Sequence, residues 1–242
     1  MDAERQLVID RRFCGPPQSG NGGYTSGMLA AAAGTPVEVR LMKPPPLERP
    51  LSIREDAGGS VLLLLDGEEP VASASPKTFE LEVPEPPTYA EALAAVSGYE
   101  GFREHTYPGC FVCGPERARG DGMRIFASPI SGRKLCAAAW LPDRSLTDAD
   151  GKVLPEFMWA ALDCPGFFAS GAAARGALLG LYAARVDRCV QLDAPCVVMG
   201  WSLGHDGRKH HTGTAVFDGF GEICGRAIAT WIEPRAITPA GG

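Results

Sequence analysis

One carboxylate stands alone in an apolar stretch: Asp163 in LPEFMWAALDCPGFFAS, residues 154–170. Phe157, Met158, Trp159, Leu162, Phe167 and Phe168 leave this segment no polar face, so a helix here is enclosed by protein. An ionised carboxylate buried without partners is costly; it either finds donors or holds its proton more tightly. Asp163 is therefore a candidate general base or nucleophile. An Asp two residues before Pro165 also suits the cap of a helix restarting at Cys164, because proline is accepted in a first turn. The second chemical group is Asn21-Gly22-Gly23, ahead of YTSGMLAAAAG. A helix start offers unpaired backbone N–H groups and glycines admit a ligand to them, which is what a developing oxyanion requires. Tyr24 follows directly and is grouped with this turn as a substrate contact, its ring reading as core or pocket wall.

Other reactive side chains carry weaker signals. Cys110 and Cys113 form one CxxC with no second pair at metal spacing and no neighbouring pair of histidines, so no metal is expected. Eight cysteines in a long, hydrophobic chain without a secretion signal read as reduced thiols. Glu156 sits in a first helical turn, where it complements the helix dipole. His105, His205, His210 and His211 fall in a linker or beside the Asp206-Gly207 turn, away from both expected helices, which counts against histidine-based hydration or dehydration. The Gly15–Gly23 segment lacks the Gly-Lys-Ser/Thr ending of a phosphate loop.

Composition narrows the field further. With 242 residues, 45% of them hydrophobic, the chain can bury a sizeable core. A net charge of −6 and the absence of any Lys/Arg run argue against a nucleic-acid or anionic-membrane surface. No apolar run reaches signal-peptide or membrane-span length, so a cytoplasmic location is expected.

The elements that must hold these groups come in two sets. The first contains a strand over Gln6–Phe13, a short buried helix closed by Gly34, then strands in VEVRLMKP, PLSIRED and VLLLLDGEEPVASASPKTFEL. A linker begins at about residue 84 and carries one helical patch, TYAEALAAVSGY; the boundary near residue 100 divides units 1–100 and 101–242. The second unit repeats the first: VEVRLMKPPP aligns with DRCVQLDAP, PLSIREDAGG with PCVVMGWSLGHDGR, and LLLLDGEEPVASASPKTF with TAVFDGFGEICGRAIATW. Short connections make the strands antiparallel. A curved antiparallel sheet wrapped around one helix buries such a helix on every side, and two copies can pair as a symmetric dimer does.

This order of elements, the GNGGY turn into a buried helix, CFVCGP at 110–115 and ALDCPG at 161–166 together resemble the hotdog-fold acyl-CoA thioesterases in their tandem form. The resemblance implies an α+β protein of two hotdog units fused as a pseudo-dimer. In one thioesterase group of that superfamily the central helix opens on His-Gly-Gly and carries an Asp eight residues after the first glycine. There the amide of one subunit and the Asp of its partner share a site. Carried onto this chain, Asn21 replaces the His, and Ala30 stands eight residues beyond Gly22. Asp163 is present in the second half, and Pro155, eight residues before it, has no N–H to donate. Each half keeps what the other lacks, so Gly22 and Gly23 are expected to face Asp163 across the pseudo-twofold axis in one composite site. The implied activity is hydrolysis of an acyl thioester, with coenzyme A entering only as part of the substrate and no further cofactor. The alternative is a non-catalytic acyl-CoA or lipid-binding protein. The implied partner is a small-molecule acyl thioester, and the fused pair can stand alone or form a homodimer. Arg117, Arg119 and Arg208 are loop candidates for the nucleotide, with plain surface charge as the default.

Overall fold

Hairpin chemistry sets the strand plan. In LLLLDGEEPVAS the turn at Asp66-Gly67, with Gly67 at φ 62°, returns β4 (Leu62–Asp66) against β5 (Glu69–Pro76). The computed structural model describes residues 5–171 and 176–235. Its first half adds β1 (Arg5–Val8), α1 (Gly22–Ala33), β2 (Val37–Leu41) and β3 (Pro50–Glu55). After α2 (Tyr89–Ala95) the second half supplies β6 (Ser128–Pro129), β7 (Cys136–Trp140), α3 (Pro155–Ala161), α4 (Cys164–Ala169), β8 (Leu178–Val186), β9 (Cys196–Asp206), β10 (Lys209–Phe217) and β11 (Ile223–Ile232).

All strands join one 11-stranded antiparallel sheet in the order β1-β3-β4-β5-β2-β8-β11-β10-β9-β7-β6. The order within the first half, 1-3-4-5-2, recurs in the second as 7-9-10-11-8, with β6 appended at the edge. The halves meet where β2 pairs with β8: Glu38 opposite Ala183, Val39 opposite Tyr182 and Arg40 opposite Leu181. This is the α+β pseudo-dimer expected. Two details differ. The first strand ends at Val8, because the Asp10 carboxylate accepts the Arg12 N–H and turns the chain into a short 3-10 segment. The partner of β2 in the repeat is Leu178–Val186 rather than DRCVQLDAP at 187–195. The apolar run LLGLYAARV takes the ladder, and the N–H groups of Asp187 and Arg188 both turn onto the Cys224 carbonyl, ending the strand.

The larger of two hydrophobic clusters crosses the seam, joining Leu29, Val39 and Leu64 to Trp140, Leu162 and Val198. The linker takes part in it. Thr88 and Glu91 close a reciprocal capping box on α2, and Tyr99, 1% exposed beside the expected boundary, donates its hydroxyl to the Cys113 carbonyl at 2.7 Å. Among the described residues no helix is long and apolar enough to cross a membrane.

Two local features bring the chemistry together. Pro165 has no N–H for the Ala161 carbonyl, so the helix of the 154–170 stretch breaks, with Asp163 at φ −80°, ψ −75° between α3 and α4. Carbonyls near the break find side-chain donors instead: Tyr182 Oη donates to Trp159 O at 2.8 Å and Thr214 Oγ1 to Leu162 O at 2.7 Å. Thr214→Val keeps the shape but strands that carbonyl, and is expected to cost about 1–3 kcal/mol in urea or thermal unfolding. An unchanged midpoint would show that the break needs no such donor. The second feature is the face of α1 that carries Gly23 and Gly27. A Cβ at Gly23 would lie 2.5 Å from Asp163 Cβ and 2.9 Å from Trp159 O; one at Gly27 would lie 2.8 Å from Glu156 Cα. Side-chain-free positions one turn apart thus let α3 run antiparallel against the backbone of α1.

Candidate active site

Asn21 is the N-cap of α1, and its side chain works in two directions. Its Oδ1 accepts the Tyr24 N–H at 2.9 Å, closing the first turn, and its Nδ2 donates to Asp163 Oδ2 at 2.9 Å. The same Oδ2 accepts the Gly23 N–H at 3.0 Å. Asp163 is 2% exposed. It occupies the capping position of α4, yet its carboxylate caps nothing there and reaches across to the other half of the chain. Its Oδ1 is buried with no partner among the described residues. Burial pushes the Asp163 carboxyl up to about 7, although the Gly23 and Asn21 donors pull the other way. A carboxylate so placed holds a proton more strongly than an exposed one.

The structure therefore brings Asn21, Gly23 and Asp163 into direct contact, and a cavity of about 450 Å³ opens alongside them. Its wall includes Gly15, Gly20, Asn21, Gly22 and Asp163, with apolar cover from Leu41, Leu179, Phe167 and Trp231. Lys43 and Arg208 are exposed cations on the same wall. The volume and the mixture of apolar surface with few polar groups suit a small-molecule site.

Four expectations change. Gly23 spends its N–H on Asp163, so of the two glycines it is Gly22, on the cavity wall, whose N–H meets no acceptor among the described residues. The Tyr24 ring does not line the cavity; it stacks on Phe13 at 4.4 Å and on Phe157 at 5.7 Å in the core, where burial raises its hydroxyl to about 12. His105 does line the cavity, although its place in the linker suggested otherwise. Both its ring nitrogens are engaged, Nδ1 by the Tyr107 N–H at 2.9 Å and Nε2 by Tyr99 Oη at 3.0 Å. Arg117 is not a loosely solvated charge: it reaches the Gly109 carbonyl, Asp121 and Cys14, away from the cavity wall. Glu156 stays in the first turn of α3 as expected.

The sequence reading missed a third cysteine. Cys164, next to Asp163, places its sulfur 3.8 Å from Cys110, and Cys110, Cys113 and Cys164 all line the cavity. The signal was present in the CPG motif that follows Asp163, but nothing in the spacing ties it to the CxxC.

Comparison with known structures finds the same fold over nearly the whole chain. A tesB protein of Mycobacterium avium subs. paratuberculosis is similar at 15% identity with a TM-score of 0.61, over 97% of this chain and 95% of that one. A protein with a hot dog fold from Alicyclobacillus acidocaldarius is similar at 10% identity with a TM-score of 0.54, over 98% and 96% of the two chains. The fold is a double hotdog. An acyl-CoA thioesterase II from Mycobacterium marinum also superposes on this double hotdog, at 13% identity with a TM-score of 0.58, over 96% of this chain and 93% of that one. By sequence, no family model matches the chain and no curated protein matches it.

Proposed function

We propose that this double hotdog hydrolyses an acyl thioester, with acyl-CoA as the simplest substrate, in the cavity beside Asp163. The observation that carries this reading is a carboxylate buried at the junction of the two halves, anchored through Oδ2 by Asn21 and Gly23 and left with Oδ1 unpaired. The acyl-CoA thioesterase that shares the fold supports the choice of chemistry. In this reading the thioester carbonyl approaches the N-terminus of α1, where the Gly22 N–H stabilises the oxygen as it gains charge. Asp163 accepts the proton of an attacking water as the C–O bond forms; the tetrahedral intermediate collapses, the C–S bond breaks, and the proton on Asp163 passes to the departing thiolate. The apolar wall takes the acyl chain, and Lys43 and Arg208 face the anionic part of the substrate.

One observation favours acyl-thioester binding without turnover: the Gly23 N–H, expected to serve the oxyanion, is already taken by Asp163. Free-thiol release from a panel of acyl-CoAs separates the readings. Release above the uncatalysed rate supports hydrolysis; saturable acyl-CoA binding with no thiol release overturns it. For the anionic end of the substrate, Arg208→Ala is expected to raise KM roughly two- to fivefold at unchanged kcat, the range of an exposed ion pair. An unchanged KM would remove Arg208 from the site.

A further inference from the structure

We propose that Cys110, Cys113 and Cys164 bind one thiophilic divalent cation of the zinc class on the wall of the cavity. The three sulfurs all lie within 4.8 Å of one another, and Cys110 Sγ stands 3.8 Å from Cys164 Sγ. Two thiolates held at about 2.3 Å from a tetrahedral zinc stand about 3.8 Å apart, so this pair needs no rearrangement to share an ion. All three cysteines are at most 5% exposed, which shelters metal–sulfur bonds from water.

The local backbone shapes the loop that carries two of the three sulfurs. The turn is held by the Gly114 N–H donating to Cys110 O at 2.9 Å. Gly114 can be nothing larger: a Cβ there would sit 2.4 Å from Pro108 O and 2.5 Å from Cys110 N and O. The CxxCG sequence is thus folded into a tight loop that presents both sulfurs to one point. Cys164 arrives from another element, where Pro165 has broken the helix.

A second unexplained group adjoins the cluster. Asp163, the neighbour of Cys164 in the chain, has its Oδ1 buried without a partner among the described residues, and it lines the same cavity as the three cysteines. A water bound to a cation at the three sulfurs gives that oxygen a hydrogen-bond donor. His105 is not the fourth ligand, since both its ring nitrogens are engaged. The cavity wall, to which all three cysteines belong, is where a water or ligand atom can complete the coordination.

The test is metal content of the full chain purified without chelator. About one zinc per chain is expected, falling to near zero in Cys110→Ser and Cys164→Ser and staying near one in Cys196→Ser, a buried cysteine outside the cluster. Because a cluster variant can fail to fold, the wild-type chain stripped by chelator is also titrated with Co²⁺, and one equivalent with thiolate-to-cobalt charge-transfer absorption is expected. The proposal is overturned by wild-type protein that purifies without metal and takes up neither Zn²⁺ nor Co²⁺. It is equally overturned by a Cys164→Ser chain, folded by circular dichroism, that binds as much as wild type, or by a disulfide between two of the three cysteines. Metal content and thiol release fail separately: a metal-free thioesterase would remove this inference alone, and a zinc protein without thiol release would remove the hydrolytic reading alone.

Discussion

Asp163→Asn is expected to lower thioester hydrolysis at least about a hundredfold, the smallest loss usual when a positioned base is removed. The amide is the informative replacement. Its carbonyl oxygen can take the place of Oδ2 and accept both the Asn21 Nδ2 and the Gly23 N–H, while its NH₂ takes the place of the unpaired Oδ1. Packing and hydrogen bonds are therefore kept, and a buried charge is removed, so stability at neutral pH should equal or exceed that of the wild type. Thiol-release kinetics beside thermal unfolding give the two readings together. Lost activity in a chain of undiminished Tm identifies Asp163 as a functional carboxylate. Undiminished turnover would sink that role, whatever the stability.

Gly23→Ala is expected to destabilise the junction of the two halves strongly. Its Cβ would meet Asp163 Cβ at 2.5 Å, Trp159 O at 2.9 Å and Ala160 Cα at 3.1 Å. None of these is the end of a flexible side chain, so α3 must move away from α1 as a unit. Overpacking of this kind costs about 3 kcal/mol, which lowers Tm by roughly 6–12 °C in a chain of this size. The same displacement stretches the Gly23–Asp163 hydrogen bond, so activity should fall with stability. Gly98→Ala is the matched control: its Cβ would meet nothing within 4 Å, and its Tm should stay within about 2 °C of wild type. A Gly23→Ala chain as stable as that control would contradict the close approach of the helices.

Much of the frame was legible because its signals are local. The α1 helix announces itself through the glycines at its start and Gly34 as stop, and the duplication shows in two hairpins turning at Asp66-Gly67 and Asp218-Gly219. Asp163 could be singled out because a lone carboxylate among aromatic and aliphatic residues has few physical explanations. Its pairing with the Asn21–Gly23 turn followed from the resemblance and from which half lacks which group. What stayed hidden depends on contacts remote in sequence. Cys110 and Cys164 are separated by 54 positions and meet only because Pro165 breaks one helix and Gly114 tightens one turn. That Asp163 would consume the Gly23 N–H is a matter of rotamer and helix spacing. The linker placed His105 far from the helices in sequence, while Tyr99, bonded to the Cys113 carbonyl, ties the linker to the cavity wall and accepts the His105 Nε2–H. The offset of the β2 repeat arose because a charged loop resembled a strand in length but not in burial.

The seam between β2 and β8 is narrow, yet Asn21 and Asp163 meet across it within one covalent chain. In an assembly of two separate subunits, such a contact would exist only above the concentration at which the subunits associate. Here the tether holds the two halves at a high effective concentration whatever the dilution. The hydrogen bonds on Asp163 therefore persist in a single isolated molecule, and loss of those bonds requires unfolding rather than dissociation.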